Sequence, residues 1–157
     1  MRFFKKDLEI VAAASGRALP LSAVPDEAFA SGILGVGVAI EPTSEKIVSP
    51  VSGRIENVSE TAHAYSIHSD DGLDVLVHVG IDTVRLGGEG FFPAVKSGDR
   101  VAAGDPLVQV DLALLRQRGL PTVTPLLITN PERLSRHELL LGDTVGGKTA
   151  VMRYRIG

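Results

Sequence analysis

Lys46-Ile-Val-Ser-Pro-Val-Ser-Gly-Arg54 reads as a short apolar run, a Ser-Gly turn and the start of a second strand. An earlier stretch, Glu9-Ile-Val-Ala-Ala-Ala-Ser-Gly-Arg17, carries Ile, Val, Ser, Gly and Arg at the same offsets. One motif occurring twice predicts a duplicated hairpin, not a solenoid of many repeats. The same pattern of short apolar runs bounded by Gly, Pro, Asn, Asp or Ser extends outward in both directions. It predicts strands over residues 8–14, 17–21, 37–42, 45–49, 54–58, 64–68, 73–79, 106–111, 122–128 and 149–155. Lys96-Ser-Gly-Asp-Arg-Val-Ala-Ala-Gly-Asp-Pro-Leu107 places two Gly-Asp pairs around a small apolar run, which suits closely packed β-turns. Two short helices are expected. One covers residues 112–118, capped by Asp111 and closed by Gly119; the other starts at Asn130-Pro131-Glu132. The fold class expected is all-β, a compact antiparallel β-sandwich of short strands joined by Greek-key or hybrid connections, over one domain spanning residues 1–157.

Composition narrows the function. Hydrophobic residues make up 44% and charged residues 22% of the 157, enough apolar material for a core and too much for a disordered chain. The absence of cysteine excludes disulfides, thiolate metal sites and a cysteine nucleophile. A net charge of −3 with no basic run gives no footprint for nucleic acid. The longest charge-free stretches, 28–40 and 119–131, are 13 residues each, well short of the ~20 a membrane-crossing helix needs. Met1-Arg-Phe-Phe-Lys-Lys6 is followed at once by Asp7 and Glu9, and the apolar run behind it is too short for a signal peptide. The expectation is a cytoplasmic protein whose N-terminus leads into a strand, either free-standing, as Met1 and the closing strand favour, or a domain of a longer protein.

Of four histidines, two draw attention. His78 lies in Leu73-Asp-Val-Leu-Val-His-Val-Gly-Ile-Asp82, where 74, 76 and 78 share one strand face and 75, 77 and 79 the other. An imidazole among Leu and Val costs free energy unless its nitrogens find partners. Gly80, Asp82 and Thr83 gather polar groups where that strand ends. His63 follows Glu60-Thr61, and a hydroxyl two residues before a histidine can orient its ring and fix its tautomer. His68, beside the Ser69-Asp-Asp-Gly72 turn, and His137, in the charged Ser135-Arg-His-Glu138 segment, are expected to be exposed and without a role.

Together, Gly37-Val-Ala-Ile-Glu-Pro42, Ile47-Val-Ser-Pro-Val-Ser-Gly53, Glu60-Thr-Ala-His-Ala-Tyr65 and Leu76-Val-His-Val-Gly-Ile-Asp-Thr83 resemble the glucose-type enzyme IIA domain of the bacterial phosphoenolpyruvate–sugar phosphotransferase system. Gly88-Glu-Gly-Phe91, Val101-Ala-Ala-Gly-Asp105 and Thr124-Pro125 extend the likeness over nearly the whole chain. The resemblance implies a phosphocarrier that takes phosphate from the histidine phosphocarrier protein and gives it to a cysteine of a sugar-specific enzyme IIB. It makes His78 the phosphoacceptor at Nε2 and His63 the stabiliser of the phosphoryl group. Thr61, Gly80 and Asp82 become supporting residues, with the Gly80 carbonyl holding Nδ1–H of the acceptor. Val38, Leu76 and Val79 are expected to form an apolar docking face. No cofactor, metal or membrane insertion is implied; regulated transporters or kinases are further candidate partners. Relatives often carry Asp where Val36 stands, Asn where Ala62 stands, and aromatics where Ser59, Leu76 and Val79 stand.

Two other classes compete. His78-Val-Gly-Ile-Asp82 also matches the His-x-x-x-Asp ligand pair of lysostaphin-type zinc hydrolases, with His63 as a third ligand, although their downstream His-x-His pair is missing. A biotinyl or lipoyl carrier needs a lysine at a hairpin tip, whereas Lys96 precedes its turn.

Overall fold

The computed structural model describes residues 7–157; the lead-in expected at residues 1–6 lies outside the described residues. The strands are β1 (Leu8–Val11), β2 (Gly16–Pro20), β3 (Val36–Pro42), β4 (Lys46–Val48), β5 (Gly53–Val58), β6 (Ala64–Ser69) and β7 (Asp74–His78). The second half adds β8 (Phe91–Pro93), β9 (Arg100–Val101), β10 (Pro106–Val110), β11 (Thr124–Ile128), β12 (Leu134–Leu139), β13 (Gly142–Thr144) and β14 (Ala150–Ile156). Every pairing among the described residues is antiparallel. One sheet of eight strands runs β13-β2-β3-β11-β7-β6-β5-β9; two sheets of three run β4-β10-β8 and β1-β14-β12. All ten predicted strands are present, with several ends displaced by one to three residues in either direction. The four unpredicted ones, β8, β9, β12 and β13, are two- or three-residue pieces or, for β12, a charged edge with too little apolar alternation to announce itself.

The sequence echo is real, but it is not a hairpin. β1 pairs with β14, and β2 pairs with β3 and β13. Likewise β4 pairs with β10, and β5 pairs with β6 and β9. Each Ser-Gly turn therefore carries the chain from a small sheet into the large one. The two copies meet reciprocally: Val11 N–H donates to the Pro50 carbonyl (3.2 Å) and Val48 N–H donates to the Ala13 carbonyl (2.7 Å). Gly147 N–H donates to Ala12 O and Gly104 N–H to Ser49 O in the same relation, at 2.8 and 2.7 Å. A Cβ on Gly147, at φ +76°, would sit 2.9 Å from the Gly104 Cα, so this crossing admits only glycine. The duplicated unit is a strand that changes sheets around a pseudo-twofold axis.

The Lys96–Leu107 segment forms two matching turns. Asp99 N–H donates to Lys96 O and Asp105 N–H to Ala102 O, at 3.1 and 2.9 Å, while each Asp side chain accepts from the first residue's N–H (3.0 and 2.8 Å). Helix α2 (Leu112–Gln117) is capped by Asp111, which accepts from Leu114 N–H at 3.1 Å, and it ends at Gly119 with φ +69°. The helix expected after Asn130 stops as a single 3-10 turn, Pro131–Arg133. The Asn130 side chain is already committed, accepting from Asp74 N–H (2.8 Å) and donating to Gly72 O (3.1 Å), so it caps nothing, and the chain enters β12 instead.

The inner faces of the sheets enclose the main core, including Ile10, Ile40, Ile47, Ile55, Ile67, Val77 and Leu107. A second, smaller cluster of Val24, Phe29, Ala39, Ile81, Val123 and Leu127 lies apart from it. Helix α1 (Glu27–Ala30), which the sequence reading left unassigned, contributes Phe29 to that cluster. Asp26 caps α1 by accepting from Ala28 N–H at 2.9 Å.

Candidate functional site

Strand pairing brings the two histidines together. His63 immediately precedes β6 and His78 ends β7; Ala64 lies opposite His78, and Val79 N–H donates to the His63 carbonyl at 2.7 Å. Alternation on β7 turns His78 and Leu76 to the face opposite Val75 and Val77, away from the main core. The ring centroids of His63 and His78 stand 5.0 Å apart at 81°, edge to face. Phe29 lies 5.1 Å from the His78 ring at 58°, so α1 walls the site with an aromatic. Phe29 was not among the residues expected at the site; Pro25-Asp26-Glu27, a helix-start signal, is the clue in the sequence.

Each imidazole is held at Nδ1. His78 Nδ1 lies 2.7 Å from the Gly80 carbonyl, which can only accept, so Nδ1 carries the proton and Nε2 keeps its lone pair. The carbonyl is fixed in turn. Ile81 N–H donates to Pro121 O (3.1 Å) and the Thr83 hydroxyl donates to Val79 O (2.7 Å). Gly80 has φ +74°, and a Cβ there would meet Thr83 Cγ2 at 2.6 Å and Pro121 O at 2.9 Å. His63 Nδ1 faces two hydroxyls, Thr61 Oγ1 at 2.7 Å and Ser59 Oγ at 3.3 Å.

Burial pushes both histidines below the ordinary value of 6.5, and the neighbouring His78 lowers His63 further. For His78 the Gly80 carbonyl and the charges of Asp26 and Asp82 oppose burial without overcoming it. Both rings are therefore neutral at neutral pH, the state a nitrogen nucleophile needs. Asp82 is exposed, at φ +59°, and its side chain does not cap the 3-10 turn Thr83–Leu86 that follows. Its charge nevertheless reaches His78.

The docking face needs correction. Val38 and Val79 are 1% and 0% exposed. Val79 continues the 75–77 side of its strand, and Val38 packs in the main core, so neither reaches a partner. Leu76 alone of the three is half-buried on the His78 face. Exposed apolar side chains come instead from flanking connections: Val84 just after Asp82, and Ile33 and Leu34 between α1 and β3. Ala62, where the resemblance puts Asn, adopts φ +59°, a left-handed conformation that Asn tolerates better than Ala, and its carbonyl accepts from the Tyr65 hydroxyl at 2.8 Å. His68 is exposed and bonded to Asp74 at 2.8 Å; His137 is exposed on β12.

Among the described residues, no three His, Cys, Asp or Glu side chains are grouped to hold a metal ion, so the zinc-hydrolase reading of His63, His78 and Asp82 lacks its ligand set. Nor is any helix among them long and apolar enough to cross a membrane.

An antiparallel sandwich displaying two neutral imidazoles, each held at Nδ1, is the framework of a histidine phosphocarrier. Residues 8–134 match the family described as phosphoenolpyruvate-dependent sugar phosphotransferase system, EIIA 1, and the chain belongs to that family. It is 42% identical over 129 residues to a glucose-specific EIIA component of Staphylococcus aureus, covering 82% of this chain and 78% of that protein. It is also 40% identical over 146 residues to a mannose-specific EIIBCA component of Corynebacterium glutamicum, covering 93% of this chain but only 21% of that longer protein. The solved glucose permease IIA from Mycoplasma capricolum superposes with a TM-score of 0.87 at 34% identity, covering 97% of this chain and 99% of the other. The chain is a phosphotransferase component of the enzyme IIA type.

Proposed function

We propose that His78 is the phosphorylated residue, that it reacts through Nε2, and that His63 steadies the phosphoryl group. The observation that carries this reading is the 2.7 Å contact between His78 Nδ1 and the Gly80 carbonyl, which leaves Nε2 as the free nucleophile. In the accepting step the Nε2 lone pair forms a bond to phosphorus as the P–N bond of the donor phosphohistidine breaks, returning that electron pair to the donor ring. In the delivering step a partner thiolate attacks phosphorus and Nε2 recovers its pair. His63, holding its proton on Nε2, donates to a phosphoryl oxygen in both steps. Preorganised positioning of this kind is most of what phosphoryl transfer asks of a protein.

The donor in this reading is the histidine phosphocarrier protein and the acceptor a cysteine of a sugar-specific enzyme IIB. Residues 1–157 act as one cytoplasmic enzyme IIA domain, and Asp82 supplies a negative charge beside the site. That charge repels the phosphoryl group and attracts cationic partner groups. Leu76, Val84, Ile33 and Leu34 supply an apolar docking face in place of Val38 and Val79.

Two substitutions test the division of labour. His78→Gln abolishes labelling by the phosphocarrier, whereas His63→Gln still accepts phosphate but fails to pass it on. Phosphate retained on the His78→Gln chain overturns the assignment.

A further inference from the structure

We propose that Ser59 is a positioning residue of the phosphoryl site, fixing the proton of His63 on Nε2 in a way that Thr61 alone cannot. This rests on the reading of His63 as donor to the phosphoryl group.

Lone pairs on the hydroxyl decide the tautomer. A serine hydroxyl has two acceptor sites and one proton. Ser59 Oγ accepts from His63 N–H at 3.1 Å and from Ala64 N–H at 3.0 Å, which fills both acceptor sites. Its remaining capacity is to donate, and His63 Nδ1 lies 3.3 Å away. A hydroxyl that can only donate, aimed at Nδ1, excludes a proton there. Thr61 differs. Its hydroxyl stands closer, at 2.7 Å, but it can donate to a bare Nδ1 or accept from a protonated one, so proximity alone leaves the tautomer undecided. Ser59 breaks that tie. The bond at 3.3 Å is long, and its influence lies in which tautomer it forbids more than in the energy it adds.

Ser59 also closes a local turn. Its own N–H donates to Ala64 O (2.9 Å) and its carbonyl accepts from Ala62 N–H (2.8 Å). A purely structural role would end there. The turn and the tautomer are separable, because an aspartate can accept the two backbone N–H groups while offering Nδ1 an acceptor in place of a donor.

The test is nitrogen-15 NMR of the imidazoles in the full chain, at a pH high enough that His63 is neutral. In the parent, His63 reads as protonated on Nε2. In Ser59→Asp and Ser59→Ala the Nδ1 signal shifts into the protonated range, wholly or in exchange. In Thr61→Ala the parent tautomer persists, and Ser59→Thr restores it with the hydroxyl. Onward transfer to a thiol acceptor falls on the order of a hundredfold in Ser59→Ala, as for loss of one oriented donor. Persistence of Nε2–H in both Ser59→Asp and Ser59→Ala, or its loss in Thr61→Ala alone, overturns the proposal. Because Thr61→Ala leaves Ser59 in place, a folding defect in the serine variants still leaves a deciding measurement. Phosphate found on a residue other than His78 would instead sink the functional reading and leave the tautomer result standing.

Discussion

Gly80 does two things that a residue with a side chain cannot do together. It turns the chain at φ +74° against Thr83, Pro121 and Leu115, and it delivers its carbonyl to His78 Nδ1. Gly80→Ala adds left-handed backbone strain of about 1–3 kcal/mol and drives a Cβ into the Pro121 carbonyl. The expected outcome is a lower midpoint in denaturant titration together with a slowed rate of phosphate acceptance, because the ring loses its fixed acceptor. Unchanged acceptance in a destabilised variant would show that the carbonyl does not orient the nucleophile. At this scale the two contacts were legible in the sequence: Thr61 with His63 and His78 with Gly80 could be paired from spacing and resemblance, since each bond spans two residues. Ser59 was marked only as a departure from the family's aromatic, because its role depends on a turn that folds back over four and five residues. Val38 and Val79 were misplaced for a physical reason. Apolar character marks burial and docking alike, and strand parity already set Val79 opposite His78.

Pairing of β6 with β7 brings the imidazoles together, and α1 places Phe29 against the His78 ring. Phe29 is 7% exposed, in the small cluster and against the His78 ring. Phe29→Ala should destabilise the protein by about 3 kcal/mol, the lower end for a buried aromatic. Burial is the largest influence on His78 and lowers it. Removing the ring admits water, so the His78 pKa should rise toward 6.5, and acceptance should begin to fail at a higher pH as the solution is acidified. NMR titration of His78 alongside a thermal melt checks both effects; a drop in stability with no rise in the pKa would mean that α1 is a packing element without influence on the nucleophile. The strands were readable because alternation and turn residues are local signals. Helix α1 has four residues, too few to show a period, and only its cap could have revealed it. The helix expected after Asn130 failed because the asparagine's hydrogen bonds are spent on Gly72 and Asp74, contacts across more than fifty residues that no local pattern records.

Across the whole molecule, the duplication explains how so small a chain without cysteine holds a rigid site. Two copies of a sheet-changing strand interlock around Gly104 and Gly147, and the eight-stranded sheet they frame carries His78 on a central strand and not on an edge. The echo in the sequence announced the duplication, yet its pairing partners are remote, so a local reading took sheet exchange for a hairpin. The site faces away from the main core, leaving the proposed acceptor, His78, half-buried. In the proposed function this architecture presents one atom, His78 Nε2, as the nucleophile. Phosphorus–nitrogen coupling in NMR spectra of the phosphorylated, nitrogen-15-labelled chain tests it most directly. The expected result is a single phosphohistidine, coupled through Nε2 of His78, with His63 unmodified; phosphorus on Nδ1 of His78, or on His63, would contradict the proposed function.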